Sequence, residues 1–457
     1  MIALLGVGRF MTAAARPSVL IIGAEPYITR ACMELGVDLV VVYGPAVRDA
    51  DALDVPGQVR TVFVQDQRTP EAVLSALHRA GLADRRYDAV LTFYEHALVH
   101  AAVLSRVLGC RGIAPEIAVR FRDKWLQKKV IREAGLRTAR SALIEDIAYA
   151  GELPELDTWP RVLKPAFGVG TQLTALVSSQ AELREAAARC YREAPRYRTY
   201  VAEEFSRGEE WSADGVVFRG EVTFLSIATY EEPCLTLLER NAPITYRRFD
   251  PEADADVFRI ADPFVRRCIT ALGLAEGVFH MELFHDPDTG DLTFGECAAR
   301  RGAALVGEEV RCKFNVDLGE EALRVALGWP PRLDVKVSPD SIGNTHLHGP
   351  PGVLLSSPTP AEVLAQPGVR YVSLEQPVGS VIAESHSNAE ERVGIAVLAA
   401  PTPDALYRRM DELRTWFASR LIVAPQDVPV RTLRAWHRRT WPDVGLDDVK
   451  HEENGPQ

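Results

Sequence analysis

The segment RVLKPAFGVGTQLTALV, residues 161–177, predicts a strand, a glycine-rich turn and a second strand. Lys164 lies on the first strand, and Gly168 and Gly170 lie in the turn. Glycine allows backbone N–H groups to close over an anion, and a lysine supplies positive charge for phosphate oxygens. The spacing differs from the GxxxxGK[ST] of a Walker loop. The segment is therefore either a phosphate-binding loop of another kind or an ordinary glycine-rich hairpin.

Two glutamates further along lie in apolar segments that predict adjacent strands. Glu282 and Glu296 flank the turn at 286–290, so a hairpin would bring their carboxylates together. Two carboxylates that face the same way suit a hard divalent cation such as Mg²⁺, which bridges nucleotide phosphates. The alternative is that each glutamate is a solvated strand residue.

Residues 120–136, RFRDKWLQKKVIREAGL, have the spacing of an amphipathic helix. Lys124 and Lys128 are four residues apart and share a helical face. Taken alone, the pattern predicts a surface helix with solvated lysines.

Composition excludes several classes of function. The 457 residues include 52 Lys and Arg against 63 Asp and Glu, a net charge of −11 without a long basic run, so nucleic-acid binding is not expected. No run of about 18 apolar residues occurs, so we expect no membrane-spanning helix. The seven cysteines are odd in number and form no CxxC pair, which predicts reduced thiols in a cytoplasmic protein.

The motifs, taken in order, resemble those of the ATP-grasp superfamily of carboxylate–amine ligases, over about residues 17 to 330. The motifs that carry the resemblance are Lys124, Lys164 with Gly168 and Gly170, Glu203-Glu204-Phe205, Gly208 to Ser212, His280-Met281-Glu282 and Glu296 to Arg300.

The resemblance implies a role for each of these positions, with ATP and Mg²⁺ or Mn²⁺ as cofactors. The residues expected to bind ATP are Lys124 and Lys164 at the phosphates, Gly168, Gly170 and Thr171 over the triphosphate, Glu203, Glu204 and Phe205 at the adenine, and Glu210 at the ribose. The residues expected at the reaction centre are Glu282 and Glu296 as metal ligands, and Arg300 at the transferred phosphate and the acyl intermediate.

The chain departs from the superfamily at one metal position. Many members have Glu-x-Asn-x-Arg where this chain has Glu296-Cys297-Ala298-Ala299-Arg300. Because Ala298 has no ligand atom, the number of metal ions stays open. A similar Glu-x-Ala-Ala-Arg sequence marks the bacterial L-amino-acid ligases, which make dipeptides.

Two further side chains are candidates for substrate contacts. In the amino-acid ligases an acid before the metal strands receives the substrate ammonium, and Glu239 is the candidate here; it is equally compatible with a surface loop. His280 faces the same side of its strand as Glu282. It either contacts substrate or phosphate as a catalytic residue, or is a packed core histidine.

The resemblance implies a multidomain protein of α/β and α+β units with the ATP-grasp fold. The expected units are a disordered extension (1–16, with Met11 as an alternative start), an open N-terminal α/β domain (17–118), an ATP-grasp domain (119–330) with a mobile central subdomain (136–205), a small C-terminal α+β domain (331–445) and a tail (446–457).

The implied activity is ATP-dependent formation of an amide or peptide bond between amino-acid-type substrates, a small carboxylate and an amine, through an acylphosphate and with release of ADP and phosphate. A homodimer is common among similar ligases. Three alternatives stay open: an ATP-grasp carboxylase, a ligase of a non-amino-acid carboxylate, and a nucleotide-binding protein without catalysis. Bicarbonate dependence would mark the carboxylase.

Overall fold

The computed structural model describes residues 16–23, 26–45, 59–151, 153, 156–383 and 391–425. The predicted tail, and the predicted extension up to residue 15, lie outside the described residues. The strands are β1 Ser18–Ile22, β2 Asp38–Tyr43, β3 Arg60–Phe63, β4 Ala89–Leu91, β5 Ser141–Ile144, β6 Arg161–Pro165, β7 Ala175–Val177, β8 Tyr200–Glu204, β9 Glu209–Phe218, β10 Glu221–Tyr230, β11 Thr245–Arg248, β12 Gly277–His285, β13 Leu292–Ala298, β14 Ser341–Leu347, β15 Gly352–Ser356, β16 Val369–Leu374, β17 Val381–Ile382, β18 Gly394–Ala400 and β19 Ile422–Ala424.

The helices surround the sheets. They are α1 Pro26–Glu34, α2 Pro70–Arg79, α3 Leu98–Val107, α4 Pro115–Arg120, α5 Lys124–Glu133, α6 Gln180–Glu193, α7 Cys234–Glu239, α8 Ala255–Leu272, α9 Val306–Phe314, α10 Leu318–Ala326, α11 Pro360–Leu364 and α12 Pro403–Arg420. Among the described residues, none of these helices has the length and apolar character needed to cross a membrane.

The N-terminal strands form a parallel sheet in the order β3-β2-β1-β4. Residues 19–22 of β1 are fully buried, as expected for a strand whose two faces are both covered. The cover on one face includes Leu323 of α10, which comes from much later in the chain. This packing joins the N-terminal sheet to the rest of the protein.

A second, antiparallel sheet has the order β5-β8-β6-β7, with α6 packed against it. In its register Val162 stands opposite Glu203, so Lys164, two residues along β6, is a diagonal neighbour of Glu203 on the same face. The sheet lies within the predicted central subdomain, and the motion of that subdomain stays a prediction.

The third large unit is an antiparallel sheet of eight strands, β13-β12-β9-β10-β11-β14-β18-β16. Its apolar face packs on α8, with Phe279, Met281 and Leu283 of β12 in that core. The opposite face carries His280 and Glu282, because strand residues alternate. Strands β14, β16 and β18 come from beyond residue 330, so the boundary predicted there falls inside one continuous sheet.

The prediction of a helix over 120–136 was wrong in two respects: the helix begins later, and its lysines are buried instead of solvated. Helix α4 ends at Arg120, and α5 begins at Lys124 after Asp123, whose side chain accepts a hydrogen bond from the backbone N–H of Leu126 at 2.9 Å. An aspartate at this position satisfies an otherwise unpaired N–H and so fixes the first turn. Lys124 and Lys128 are 7% and 1% exposed instead of solvated.

Three fully buried charged groups lie together beneath the polar face of the eight-stranded sheet. Arg248 on β11 donates to Asp214 Oδ2 from Nη1 at 2.6 Å and to Glu309 Oε2 from Nε at 2.9 Å. Burial opposes the charge of Asp214, but Arg248 and His280 outweigh it and lower the pKa of Asp214 to about 2. Arg248 therefore links strand β9, through Asp214, to helix α9, through Glu309.

We expect Arg248→Met to lower the free energy of unfolding by about 3–5 kcal/mol, because it removes the cation that pairs with two buried carboxylates. Arg247→Met is the matched control: Arg247 pairs with Asp254 at 3.3 Å near the surface, and its loss should cost about 1 kcal/mol or less. Thermal and denaturant unfolding measure both. Equal stability of the two variants would contradict the stabilising role of Arg248.

Candidate active site

One cavity of about 290 Å³ lies between the central sheet, the eight-stranded sheet and the N-terminal unit. We call it the site cavity. It is lined by every predicted site residue except Glu239: Lys124, Lys164, Gly168, Gly170, Thr171, Glu203, Glu204, Phe205, Glu210, His280, Glu282, Glu296 and Arg300.

The two predicted phosphate lysines meet at the carboxylate of Glu296. Lys124 Nζ lies 3.1 Å from Glu296 Oε2 and donates to the carbonyl oxygen of Gly168 at 3.1 Å. Lys164 Nζ lies 3.5 Å from the same Glu296 oxygen and 3.2 Å from Glu203 Oε2. Burial disfavours the charge on Lys164, but Glu203 and the other carboxylates outweigh it and hold its pKa above the usual range. The glycine-rich turn is thus fixed beside two ammonium groups.

Lys128 is a third ammonium group at the same place, and sequence analysis did not assign it to the site. Its Nζ donates to the carbonyl oxygen of Gly295 at 2.6 Å and lies 3.3 Å from Glu203 Oε2. Burial lowers its pKa, and Glu203 opposes that shift. The available signal was its position four residues after Lys124, on the same face of the helix.

Glu282 and Glu296 stand directly opposite each other on β12 and β13. Burial raises the pKa of Glu282, and the neighbouring carboxylates Glu296 and Glu210 raise it further. Burial acts on Glu296 in the same direction, but Lys124 and Lys164 outweigh it and hold the pKa of Glu296 below its usual range. A cation beside the Glu282 carboxylate would therefore favour its ionised form.

The donor atoms at this place fit a divalent cation of the hard type. The described residues contain no group of three or more His, Cys, Asp or Glu side chains arranged to hold a metal. Mg²⁺ is bound in proteins by one or two carboxylates and completes its shell with water and phosphate oxygens. The hydroxyl oxygen of Ser212, opposite Glu282 in the register, is buried without a hydrogen-bond partner. Ala298 lines the cavity and offers no ligand atom.

The two adjacent glutamates at the predicted adenine hinge have different surroundings. Glu203 Oε1 is buried without a hydrogen-bond partner, so it is an open acceptor. Glu204 accepts from Arg140 Nε at 2.9 Å and from the Thr158 hydroxyl at 2.8 Å. Glu203 Oε1 is therefore a buried acceptor atom that a ligand could use.

Glu210, which is predicted to bind the ribose, is almost fully buried. It is 6% exposed, and its Oε2 accepts from the backbone N–H of Cys234 at 2.7 Å. Burial raises the pKa of Glu210 to about 7. Its predicted role stays untested.

His280 is held by Asp214 at the wall of the cavity. Its Nδ1 lies 2.8 Å from Asp214 Oδ1, and its side chain is 15% exposed. Burial disfavours protonation, but Asp214 outweighs it and raises the pKa of His280. A Cβ added at Gly302 would lie 2.9 Å from His280 Nδ1, so the backbone packs closely against the ring. His280 lines the site cavity, and its contact with substrate or phosphate stays a prediction.

Arg300 is bound to Glu95, an acidic residue that sequence analysis missed. Arg300 Nε donates to Glu95 Oε2 at 2.9 Å, and Arg122 Nη1 donates to Glu95 Oε1 at 2.5 Å. Burial raises the pKa of Glu95, but Arg300 and Arg122 outweigh it and lower the pKa overall. Arg122 also donates to the carbonyl oxygen of Phe167, at the start of the glycine-rich turn. Because Glu95 lies far away in sequence, no local pattern marked it.

Glu239 does not lie with the other predicted residues. It is exposed at the end of α7, whose buried residues are Cys234 and Leu237, and it lines a separate surface depression with Arg189 and Glu193. The helical spacing turns Glu239 outwards. The ammonium-binding role predicted for it is therefore corrected: Glu95 is the acid beside Arg300.

Known proteins match the chain in both sequence and structure. Residues 29–110 match the ATP-grasp N-terminal domain family. An L-arginine-specific L-amino acid ligase from Bacillus subtilis is 25% identical over 72% of this chain and 79% of its own length. The L-amino acid ligase structure from Bacillus licheniformis superposes with a TM-score of 0.73 at 20% identity, over 90% of this chain and 99% of its own. A carboxyaminoimidazole ribonucleotide synthase from Aspergillus clavatus, complexed with ATP, has a TM-score of 0.68 at 16% identity, over 88% and 99%.

We expect Lys128→Met to raise the dissociation constant for ATP by about 10- to 100-fold, because a buried ammonium that meets phosphate is lost. Lys129→Met is the matched control, since Lys129 is exposed on the same helix and pairs with Glu133 at 4.0 Å. Calorimetric titration of both variants measures the difference. If Lys128→Met binds ATP with wild-type affinity, Lys128 does not contact the phosphates.

Proposed function

We propose that this chain, an ATP-grasp ligase, forms an amide or peptide bond between amino-acid-type substrates and releases ADP and phosphate. The fold and the enzyme class expected from the order of the motifs are confirmed by its relatives. The substrates and the chemical steps below are our proposal. A homodimer stays a prediction.

One observation carries the proposal: three ammonium groups and two opposed carboxylates meet in one cavity, beside an arginine paired with an acid. Phosphoryl transfer needs positioned positive charge more than it needs a reactive side chain. Lys124 and Lys128 provide that charge from helix α5, and Lys164 provides it from strand β6 of the central sheet. A polyphosphate entering here would take over contacts that Glu203 and Glu296 now make.

Glu282 and Glu296 would hold the divalent cation. When bound, the cation would neutralise charge on the phosphate oxygens. The chain's own contribution is to keep the two carboxylates opposite each other and to place the lysines around them.

The acid substrate fits the pair formed by Arg300 and Glu95. A carboxylate, and the acylphosphate formed from it, matches the guanidinium groups of Arg300 and Arg122. An α-ammonium group on the same substrate matches Glu95, which lies between those arginines. Two adjacent groups of opposite charge are the mark of an amino acid.

Exclusion of water decides whether an acylphosphate reacts with an amine or is hydrolysed. The glycine-rich turn lies over the lysines, and Arg122 ties the turn to Glu95. We propose that closure of the central sheet over the bound nucleotide completes this enclosure. Bond formation transfers the amine nitrogen to the acyl carbon, releases phosphate and frees a proton from the nitrogen.

The test is ADP formation from ATP and Mg²⁺ with panels of amino acids, with product masses determined by mass spectrometry. We expect amino-acid-dependent ADP release and a product that has lost one water. Glu296→Gln should lower turnover by at least about 100-fold, because charge stabilisation at the reacting phosphate is lost. Dependence on bicarbonate would favour a carboxylase, and ATP binding without amino-acid-dependent turnover would favour a non-catalytic protein.

We expect Glu95→Gln to raise KM for the acid substrate by about 10-fold or more and to raise KM for ATP by less, because the ammonium contact is lost and the ion pairs with Arg300 and Arg122 are weakened. Glu116→Gln, an exposed acid at the start of α4, is the control. Steady-state kinetics with each substrate varied in turn measure the split. An unchanged KM for the acid substrate would show that Glu95 stabilises the fold and does not bind the substrate.

A further inference from the structure

A second cavity adjoins the site cavity where the acid substrate is expected. It has a volume of about 320 Å³, and we call it the side cavity. Its lining shares Glu95 and Arg300 with the site cavity, together with Val169 of the glycine-rich turn. Because Glu95 and Arg300 form the proposed acid-substrate site, a molecule in the side cavity would lie next to the acyl group. An amine can therefore approach the acyl carbon from this cavity.

His96 separates the side cavity from a third cavity of about 510 Å³. Three guanidinium groups line the third cavity, those of Arg68, Arg122 and Arg196, and we call it the arginine cavity. Arg68 and Arg196 are exposed, so the arginine cavity reaches the protein surface. Among the described lining residues, His96 is the one that belongs to both cavities. It therefore stands between the expected place of reaction and solvent.

The imidazole of His96 is held in its neutral form. Its pKa is lowered to about 4, first by burial and then by Arg122, whereas Glu95 opposes the shift. Arg68 and Arg196 lower this pKa further. The ring packs edge to face against another aromatic ring, with centroids 5.5 Å apart, and no other described residue is hydrogen-bonded to its nitrogens. At neutral pH His96 is therefore an uncharged base with a nitrogen able to accept a proton.

The carboxylates that line the side cavity are already paired with cations. Two arginines bind Glu95, and together they lower its pKa although burial acts in the opposite direction. Glu375 accepts a hydrogen bond from Arg392 at 2.9 Å. Proton transfer to either carboxylate would break an ion pair. Proton transfer to the imidazole of His96 breaks none.

We propose that His96 accepts the proton that the attacking amine nitrogen loses when the amide bond forms. The inference rests on the proposed ligase function. The amine enters uncharged, because the guanidinium groups nearby disfavour an ammonium. Its nitrogen bonds to the acyl carbon, the bond between that carbon and the phosphate oxygen breaks, and phosphate leaves with the electron pair. The proton passes from the nitrogen to an imidazole nitrogen of His96.

The arginine cavity accounts for the next step, the return of His96 to its neutral form. An imidazolium beside three guanidinium groups is unfavourable, so it gives its proton to water. The arginine cavity connects His96 with solvent on the side away from Glu95 and Arg300. The proton can therefore leave without passing the acylphosphate.

The experiment compares two nucleophiles in His96→Ala: the amine substrate active in the ligase assay, and hydroxylamine. Hydroxylamine is uncharged at neutral pH and attacks acylphosphates with little help from a base, and its hydroxamate product forms a coloured iron(III) complex. We expect amide formation to fall by about 100-fold or more, the usual contribution of a general base, while hydroxamate formation falls far less. A purely structural role of His96 would lower both rates together.

Rescue by added imidazole tests where the base acts. Alanine leaves space beside the arginine cavity, so imidazole should restore part of the amide formation in His96→Ala. His96→Gln fills that space without supplying a base, and we expect the same loss without rescue. If His96→Ala does not fold, His96→Gln carries the comparison of the two nucleophiles.

His100→Gln is the matched control. His100 lines the same arginine cavity, and its Nδ1 lies 3.2 Å from the carbonyl oxygen of His96. It does not line the side cavity, so this variant should form amide at the wild-type rate.

The outcomes distinguish the two proposals. Amide formation at the wild-type rate in the His96 variants, or an equal loss of amide and hydroxamate, overturns the assignment of His96 and leaves the ligase function standing. The absence of amino-acid-dependent ADP formation in the wild type overturns both.

Discussion

The ion pairs of Lys164 with Glu203 and Glu296 are the contacts on which the site depends. Lys164 and Glu203 belong to the central sheet, and Glu296 belongs to the eight-stranded sheet. Buried charges are costly unless they are paired, and the pair of Lys164 with Glu296 joins two different sheets. Lys124 and Lys128 add charge to the same place from α5.

The same arrangement explains how polyanions could be bound without reorienting the cationic side chains. Lys124, Lys128, Lys164 and Arg300 each meet a protein carboxylate, which keeps them oriented. Exchange of a carboxylate for a phosphate oxygen or a substrate carboxylate replaces one charge-assisted hydrogen bond with another. Donors that are already oriented need not be reorganised at the moment of reaction, which is the main source of electrostatic catalysis.

Sequence patterns predicted the parts of this site that depend on short distances along the chain. The strand with Lys164 and its glycine turn, and the hairpin that opposes Glu282 and Glu296, follow from local alternation and turn residues. Partners brought together by tertiary packing left no such pattern: Glu95 reaches Arg300 across 205 positions. The helix over 120–136 was predicted from its apolar spacing alone. The prediction did not take account of Asp123, which caps α5, and so it placed the start of the helix too early. Glu239 was assigned by resemblance, and helical geometry turned it to the surface.

The continuity of the eight-stranded sheet has a consequence for how the chain could be divided. Strand β11 pairs with β14 through Thr245 opposite Thr345, and β14 pairs with β18. A fragment that stops near residue 330 would leave the edge of β11 that faces β14 unpaired, and an exposed edge strand invites association with other chains. The residues after 330 thus protect the interior of the catalytic unit from aggregation, and fusions or truncations are better placed outside residues 16–425.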